Sequence, residues 1–270
     1  MNQKITIALA PVGGWGIGKG NPLSPEELST QVLDCADAGA SLVHFHSRDL
    51  KGNLSADITL FEDSAKKIRK HSEILIEASS GGLSNMSDEE RIRPASCKEA
   101  QLGSLNLGSL NFGENVYKNS LPSIRYWIAC LKEFNVHPSL EIFDTGNVEI
   151  ALQLIREGLL TAPFNFSFIF DCMWGMTWSQ ELLDFLISRL PEQSHWGCIF
   201  VGNKDFSAHL QSAQMGAHFL RAGFEDSMYC NGAEAKNNKE LVSTLAENLK
   251  ANGFVPRTSE ESRKFLLSVE

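Results

Sequence analysis

Two histidines one residue apart, His44 and His46, sit at the end of a β-branched run in the string SLVHFHSRD. Side chains on a strand alternate faces, so positions i and i+2 project the same way. A strand that ends in this pair presents two imidazole nitrogens to one metal ion. Taken alone, the pair reads equally well as two unrelated polar residues at a strand end. A third candidate ligand, Glu225 in the string RAGFED, favours the metal. Together His44, His46 and Glu225 make a His₂Glu set with a coordination position left over, the composition of a catalytic zinc site.

Around that set lie residues able to move protons or hold an acid. Asp226 follows Glu225 directly and is expected to lie off the metal, where a general base is useful. The plain alternative for Glu225-Asp226 is a solvated acidic pair in a loop. Arg221 and Glu225 differ by four, so an extended chain would put both on one face. Glu141, inside SLEIFDTG, is flanked by apolar residues and should point inward. A buried carboxylate needs a partner, and Arg221 is the expected one. That reading is compatible with a purely structural Glu–Arg pair. Ser79-Ser80-Gly81-Gly82 ends one apolar run, and Ser104 and Asn106, two apart, share a face of another. The other five histidines, His71, His137, His195, His209 and His218, are assigned no chemistry.

Elements must exist to position these groups. Short apolar segments read as strands at 5–11, 41–47, 73–79, 103–109, 139–144, 164–170, 196–201 and 218–223. Amphipathic helices are expected between them at 24–40, 57–71, 120–134, 147–159, 179–190, 204–217 and 238–253, with a short helix near 259–267. Ser24 reads as an N-cap followed by Pro25, and the acids of 57–71 precede its bases. The third unit, SDEERIRPASCKEA, contains Pro94, which should kink or split its helix. Eight alternating βα units predict a (β/α)8 TIM barrel, one catalytic domain over 1–270 with a short C-terminal helical tail. A doubly wound open sheet is the competitor, but no GxGxxG follows the first strand, and candidate residues end many strands rather than meeting at one switch point. The phenylalanines of FNFSFIF read as core. Met173, Trp174, Met176 and Trp178 form an apolar loop suited to a substrate pocket or a subunit interface.

Composition narrows the function. A net charge of −9 on 270 residues, with no basic run, argues against nucleic-acid binding. No apolar segment reaches the length of a membrane span, and the N-terminus lacks the pattern of a signal peptide. The six cysteines are scattered without a CxxC, so neither a disulfide framework nor a Cys-ligated zinc site is expected. A cytoplasmic protein is the expectation.

In chain order, the strings NPLSPEEL, AGASLVHFHSRD, EASSGG, SLNLGSLNFG, LEIFDTGNV and RAGFEDSMYCNGAEAKNN resemble the β-keto acid cleavage enzymes, whose best-known members are the 3-keto-5-aminohexanoate cleavage enzymes. The resemblance runs nearly end to end, and the combination of HxHxRD, LEIFDTG and GFED is specific. It implies a TIM barrel that binds a divalent metal, usually zinc, through His44, His46 and Glu225. It implies Asp226 as base, with Arg221, Ser80, Ser104 and Glu141 supporting the base or holding substrate. Acetyl-CoA would be the co-substrate, and the products acetoacetate and a new acyl-CoA. A homo-oligomer, a tetramer, is the implied assembly. The substrate-facing set is taken as Ser104, Asn106, Gly81, Gly82, Val12 and Trp15. Two loops depart from the family. PVGGWGIGKG carries no acid between Pro11 and Pro22, whereas many relatives have a Thr or an acid near Val12; DCMWGMTW lacks the Gly-rich pattern of relatives. A positively charged tail would lack a partner there, so a neutral or apolar substrate tail is expected. The rivals are another metal-dependent TIM-barrel lyase, aldolase or hydrolase, and a non-catalytic relative that binds metal or a small acid. Amidohydrolases also use HxH, but on their first strand.

Overall fold

The computed structural model describes residues 3–12, 20–49, 51–82 and 85–268. Eight parallel strands form a closed barrel: β1 (Lys4–Leu9), β2 (Leu42–Phe45), β3 (Leu75–Ala78), β4 (Leu102–Asn106), β5 (His137–Ile142), β6 (Phe164–Phe170), β7 (Ser194–Phe200) and β8 (Phe219–Ala222). Neighbours follow chain order, and β8 returns to β1 with Arg221 opposite Ala8. That closure confirms the TIM barrel and excludes the open sheet. Every expected strand is present, with ends displaced by at most three residues.

Alternation within each strand sorts the chain into two layers. In β6, Phe164, Phe166, Phe168 and Phe170 face outward into the main hydrophobic core under the helices, while Ile169 belongs to a separate inner cluster. In β1, Ile5, Ile7 and Leu9 are fully buried in the same outer core. Truncating one such phenylalanine to Ala would cost about 3–5 kcal/mol. The alternation that fills the outer core also turns Thr6, Ala8, Asn165 and Ser167 toward the barrel axis.

The helices are α1 (Pro25–Asp37), α2 (Ile58–Arg69), α3 (Asp88–Ile92), α4 (Leu121–Glu133), α5 (Thr145–Arg156), α6 (Gln180–Ser188), α7 (Ser207–Gln214), α8 (Asn238–Ala251) and α9 (Ser259–Leu267). Ser24 caps α1 in a capping box with Glu27, and Asp57 caps α2. Pro94 splits the third unit as expected: α3 ends at Ile92 and a 3₁₀ turn, Arg93–Ser96, begins at once.

Two hairpins and one added strand were not expected from the sequence. Leu110–Phe112 pairs antiparallel with Asn115–Tyr117, Tyr229–Cys230 with Ala233–Glu234, and Val255–Pro256 adds to the outer start of β1. The second hairpin turns on Asn231 and Gly232, both at positive φ, 52° and 78°. That is the Asn-Gly turn whose twist suits a two-residue hairpin.

The C-terminal helix is more than a tail. Leu266 of α9 is buried against Ala8, Leu42, Leu75, Leu102 and Phe219, closing the base of the barrel. Asn165 donates to the Leu266 carbonyl at 2.9 Å, and the Ser262 hydroxyl lies 2.8 Å from those of both Thr6 and Ser41.

Candidate metal centre and active site

At the opposite end of the barrel, β2 delivers His44 and His46 to one face, with ring centroids 5.4 Å apart. Register places Glu77 of β3 directly across from His44. The two side chains meet inside the barrel, His44 Nδ1 to Glu77 Oε1 at 2.7 Å. A carboxylate on Nδ1 orients the ring and leaves Nε2 facing the axis, the outer support that metal-binding histidines commonly have. His44 Nε2 lies 3.7 Å and His46 Nε2 3.9 Å from Glu225 Oε1. One ligand atom from each of His44, His46 and Glu225 falls within 4.8 Å of the others.

Glu225 reaches this place by a route other than the one expected. It does not continue β8 in extended form; the strand ends at Ala222 and the chain turns. The Glu225 N–H donates to the Ala10 carbonyl, and the Asp226 and Ser227 N–H groups both donate to Gly223 O. Gly223 permits the turn. Its φ is +154°, and a Cβ there would lie 2.1 Å from Ala10 O. A turn, not a strand face, therefore brings Arg221, Glu225 and Asp226 together.

Arg221 binds Asp226 through two nitrogens, Nε to Oδ2 at 2.9 Å and Nη2 to Oδ1 at 2.5 Å. Nη2 also donates to Glu225 Oε1 at 3.2 Å, while Glu141 lies farther off, 3.8 Å from Nη1. The expected Arg221–Glu141 pairing is thus the longest of the three, and the bidentate partner is Asp226. Buried His209 of α7 contacts the Arg221 carbonyl through Nε2 at 3.0 Å.

Electrostatics mark this end of the barrel as a seat for positive charge. Burial lowers the His44 imidazole, but the Glu225 charge and the hydrogen-bonded Glu77 outweigh it and hold His44 up at about 9. His46 moves the other way, kept well below its ordinary value by burial and then by the charge on His44. Burial, opposed by His44 and Arg221, pushes Glu141 up to about 7. It also raises Glu225. The Glu225 Oε2 atom is buried without a hydrogen-bond partner. An orphaned carboxylate oxygen beside two imidazoles fits a divalent cation, which supplies the charge that this oxygen lacks.

The remaining site residues divide. Asn106, Gly81, Gly82 and Glu141 line the cavity with the ligand set, and Asn106 keeps a buried Oδ1 without a partner. A Cβ on Gly81 would stand 2.8 Å from His46 Cε1, and one on Gly82 would stand 2.7 Å from Arg91 Cγ, so both glycines allow close packing. Ser80 and Ser104 stand behind that surface and hold each other: Ser80 N–H donates to Ser104 Oγ at 3.0 Å and Ser80 Oγ to Ser104 O at 2.5 Å. Val12 is buried in the main core and does not line the cavity. Trp15 lies outside the described residues.

The apolar loop after β6 also divides. Met173 lines the cavity, and Trp174, 68% exposed, donates its indole N–H to Gly113 O at 3.2 Å. Met176 and Trp178 join the core, Trp178 meeting Phe170 and Phe200 edge-on.

Sequence reading passed over Glu77, Arg91 and Tyr117, and named Ser79 without giving it a role. Glu77 had a signal: a lone acid within an apolar strand. Ser79 Oγ lies 3.0 Å from His46 Nε2 and accepts the Gly81 N–H. Arg91 is 5% exposed, and its guanidinium donates to neutral acceptors. It donates to Ser80 O and Asn119 Oδ1 and lies over the Trp127 ring, 4.3 Å from its centroid. In sequence it sits among the charged residues of DEERIRP and reads as a surface residue. Burial keeps the Tyr117 phenol protonated by raising its pKa.

The chain is similar to known proteins over nearly its whole length. The family model described as beta-keto acid cleavage enzyme matches residues 4–267. The 3-keto-5-aminohexanoate cleavage enzyme of Fusobacterium nucleatum subsp. nucleatum is 31% identical over 272 residues, covering 98% of each chain. The 3-oxoadipate:acetyl-CoA acetyltransferase of Cupriavidus necator is 28% identical, covering 98% of this chain and 95% of its own. Among solved structures, apo ObcA superposes with a TM-score of 0.78 at 17% identity, over 91% of this chain and 65% of that one. That likeness shows the barrel fold.

Proposed function

The chain belongs to the beta-keto acid cleavage enzyme family, and on that premise we propose a zinc-dependent exchange between a β-keto acid and acetyl-CoA. Membership makes it an enzyme of a family that includes acetyl-CoA-dependent transferases. In the proposed reaction R–CO–CH₂–COO⁻ and acetyl-CoA give R–CO–SCoA and acetoacetate. The observation that carries it is the buried His44, His46 and Glu225 set with the Arg221–Asp226 pair beside it. His44, His46 and Glu225 would hold the metal, zinc or another divalent ion, which when bound polarises a carbonyl and stabilises enolate charge.

The chain's own groups account for the rest. Asp226, fixed by both Arg221 nitrogens, takes a proton from the carbon between ketone and carboxylate. The electron pair released there forms the new bond to the acetyl carbonyl, and CoA thiolate leaves. The thiolate then adds to the original ketone carbon, and breaking the adjacent C–C bond releases acetoacetate. Asp226 returns its proton to that product. Arg221 keeps Asp226 oriented and offsets the carboxylate charge crowded beside it. Asn106 Oδ1 and the Gly81–Gly82 backbone offer polar anchors for substrate, and Ser80 and Ser104 keep that backbone in place.

The catalytic unit is the whole barrel with α9, one domain. All six cysteines are free buried thiols, which supports a reducing compartment and thus the cytoplasm. No helix among the described residues is long and apolar enough to cross a membrane. Exposed Trp174, Phe185 and Val116 support a homo-oligomer, for which the family resemblance suggests a tetramer. The test is acetoacetate release by protein of known metal content, with and without acetyl-CoA and after chelation. Product that forms without acetyl-CoA, or at full rate after chelation, would refute the reading. An acetyl-CoA-independent aldolase or hydrolase would show the first result, and a non-catalytic relative would give no product.

A further inference from the structure

The mouth encloses a cavity of about 310 Å³ with two chemically distinct parts. Its floor is the ligand set with Arg221, Asp226, Glu141 and Asn106. Its wall is different: Leu54, Phe112, Phe143, Ile169, Met173 and Val201 line it. These come from five places in the chain: the loop after β2, the hairpin after β4, the end of β5, β6 with its following loop, and the loop after β7. Convergence of five separate segments on one apolar surface is a property of the site and not of one variable loop. Cys172 adds to the wall as a neutral thiol, since burial pushes its pKa up to about 11.

Beyond the floor, no charged side chain lines the cavity among the described residues. Outside the described residues, 13–19 (GGWGIGK), Leu50 and Leu83-Ser84 contain no acid. Their one charge is Lys19. The relatives named above act, by their names, on acids whose tails carry an amino group or a second carboxylate. Either tail would have to leave water for a wall with no described group of opposite charge, which is costly.

We propose that the β-keto acid used by this enzyme carries an uncharged, apolar tail seated on the Leu54–Phe112–Phe143–Ile169–Met173–Val201 wall. The inference rests on the acyl-transfer reading for the chemistry at the other end of the substrate. The wall sets the tail, and the floor sets the reaction.

Three six-carbon acids of matched length decide it: 3-oxohexanoate, 3-keto-5-aminohexanoate and 3-oxoadipate. Each is assayed with the metal-loaded enzyme for acetyl-CoA-dependent acetoacetate release. The expected kcat/KM for 3-oxohexanoate exceeds that of each charged acid by at least about tenfold. Within the straight-chain series from 3-oxopentanoate upward it rises by about fourfold per methylene until the wall is covered. A charged acid within tenfold of 3-oxohexanoate, or above it, overturns the proposal. If none of the acids turns over, the acyl-transfer reading fails, and calorimetric binding of the same three acids still judges the tail. Tightest binding of 3-oxohexanoate upholds the inference; equal or tighter binding of a charged acid, or no binding of any, overturns it. A variant gives an independent check. Met173 is 58% exposed, so Met173→Glu should fold. It is expected to raise the 3-keto-5-aminohexanoate to 3-oxohexanoate ratio by about tenfold or more. An unchanged ratio counts against the wall as the seat of the tail.

Discussion

At the base of the barrel, Thr6, Ser41 and Ser262 share hydroxyl contacts of 2.8 Å, Asn165 reaches the Leu266 carbonyl, and Leu266 fills the remaining space. At the mouth, Glu225 and Asn106 each keep a buried oxygen without a partner, and three carboxylates, those of Asp226, Glu225 and Glu141, crowd around Arg221. The same eight strands build both ends. The base satisfies its polar groups within the chain and so contributes stability. The mouth leaves polar groups that the chain does not satisfy and that a cation and a substrate would, so its arrangement is costly to the fold and suited to chemistry.

The sharpest way to break this contrast is to remove one member from each end. Glu225→Gln should abolish tight metal binding and lower kcat by roughly a thousandfold or more. The chelated variant should differ little from the chelated parent toward urea, because losing the charge of the unpartnered Oε2 offsets losing the Oε1 contacts with Arg221 and His44. Metal stoichiometry, turnover and urea unfolding read the three effects; a chelated variant that unfolds markedly earlier would place Glu225 among the structural residues. At the base the expectation inverts. Leu266→Ala should cost about 2–5 kcal/mol of stability while the folded fraction keeps its metal and its kcat. Lost activity in a fully folded Leu266→Ala protein would mean that the two ends are coupled.

The contrast also explains what the sequence disclosed. Strand positions were legible because each strand of a closed barrel must bury its outer face, and β6 shows this in four alternating phenylalanines. His44 and His46 were legible because a spacing of two fixes a shared face on a strand. Glu225 was legible as a candidate ligand beside His44 and His46, but its route was not. The chain turns after β8 at Gly223, where any side chain would collide with Ala10, so only a glycine serves there. Arg91 was hidden because its role depends on Ser80, Asn119 and Trp127, which lie on other elements. The hairpin at Tyr229–Glu234 carried a local signal, Asn231-Gly232, that a reading tuned to βα units passed over.

The smallest predicted effect separates the two ends by the sign of their pH dependence. At the base, His218 is held down to about 4 by burial, with Arg257 adding to it. Its Nδ1 accepts the Trp196 N–H at 3.2 Å, which a neutral ring allows. An unfolded histidine titrates near pH 6.5, so the unfolded chain binds more protons between about 4 and 6.5. The stability from this group is complete above about 6.5 and is lost as pH falls through about 4. His218→Asn keeps an acceptor near the same place and removes the titration. The slope of unfolding free energy against pH should therefore fall by up to about 1.4 kcal/mol per pH unit across that window. At the mouth, His44 is held up at about 9 by Glu225 and Glu77 against its burial, so the sign reverses. In chelated protein its contribution is complete below about 6.5 and is lost as pH rises through about 9. Metal loading should abolish that alkaline loss, because the imidazole then gives its lone pair to the cation, and leave the acid limb at the base untouched. Chelated and loaded proteins with identical alkaline limbs would show that the positive charge at the mouth has another seat.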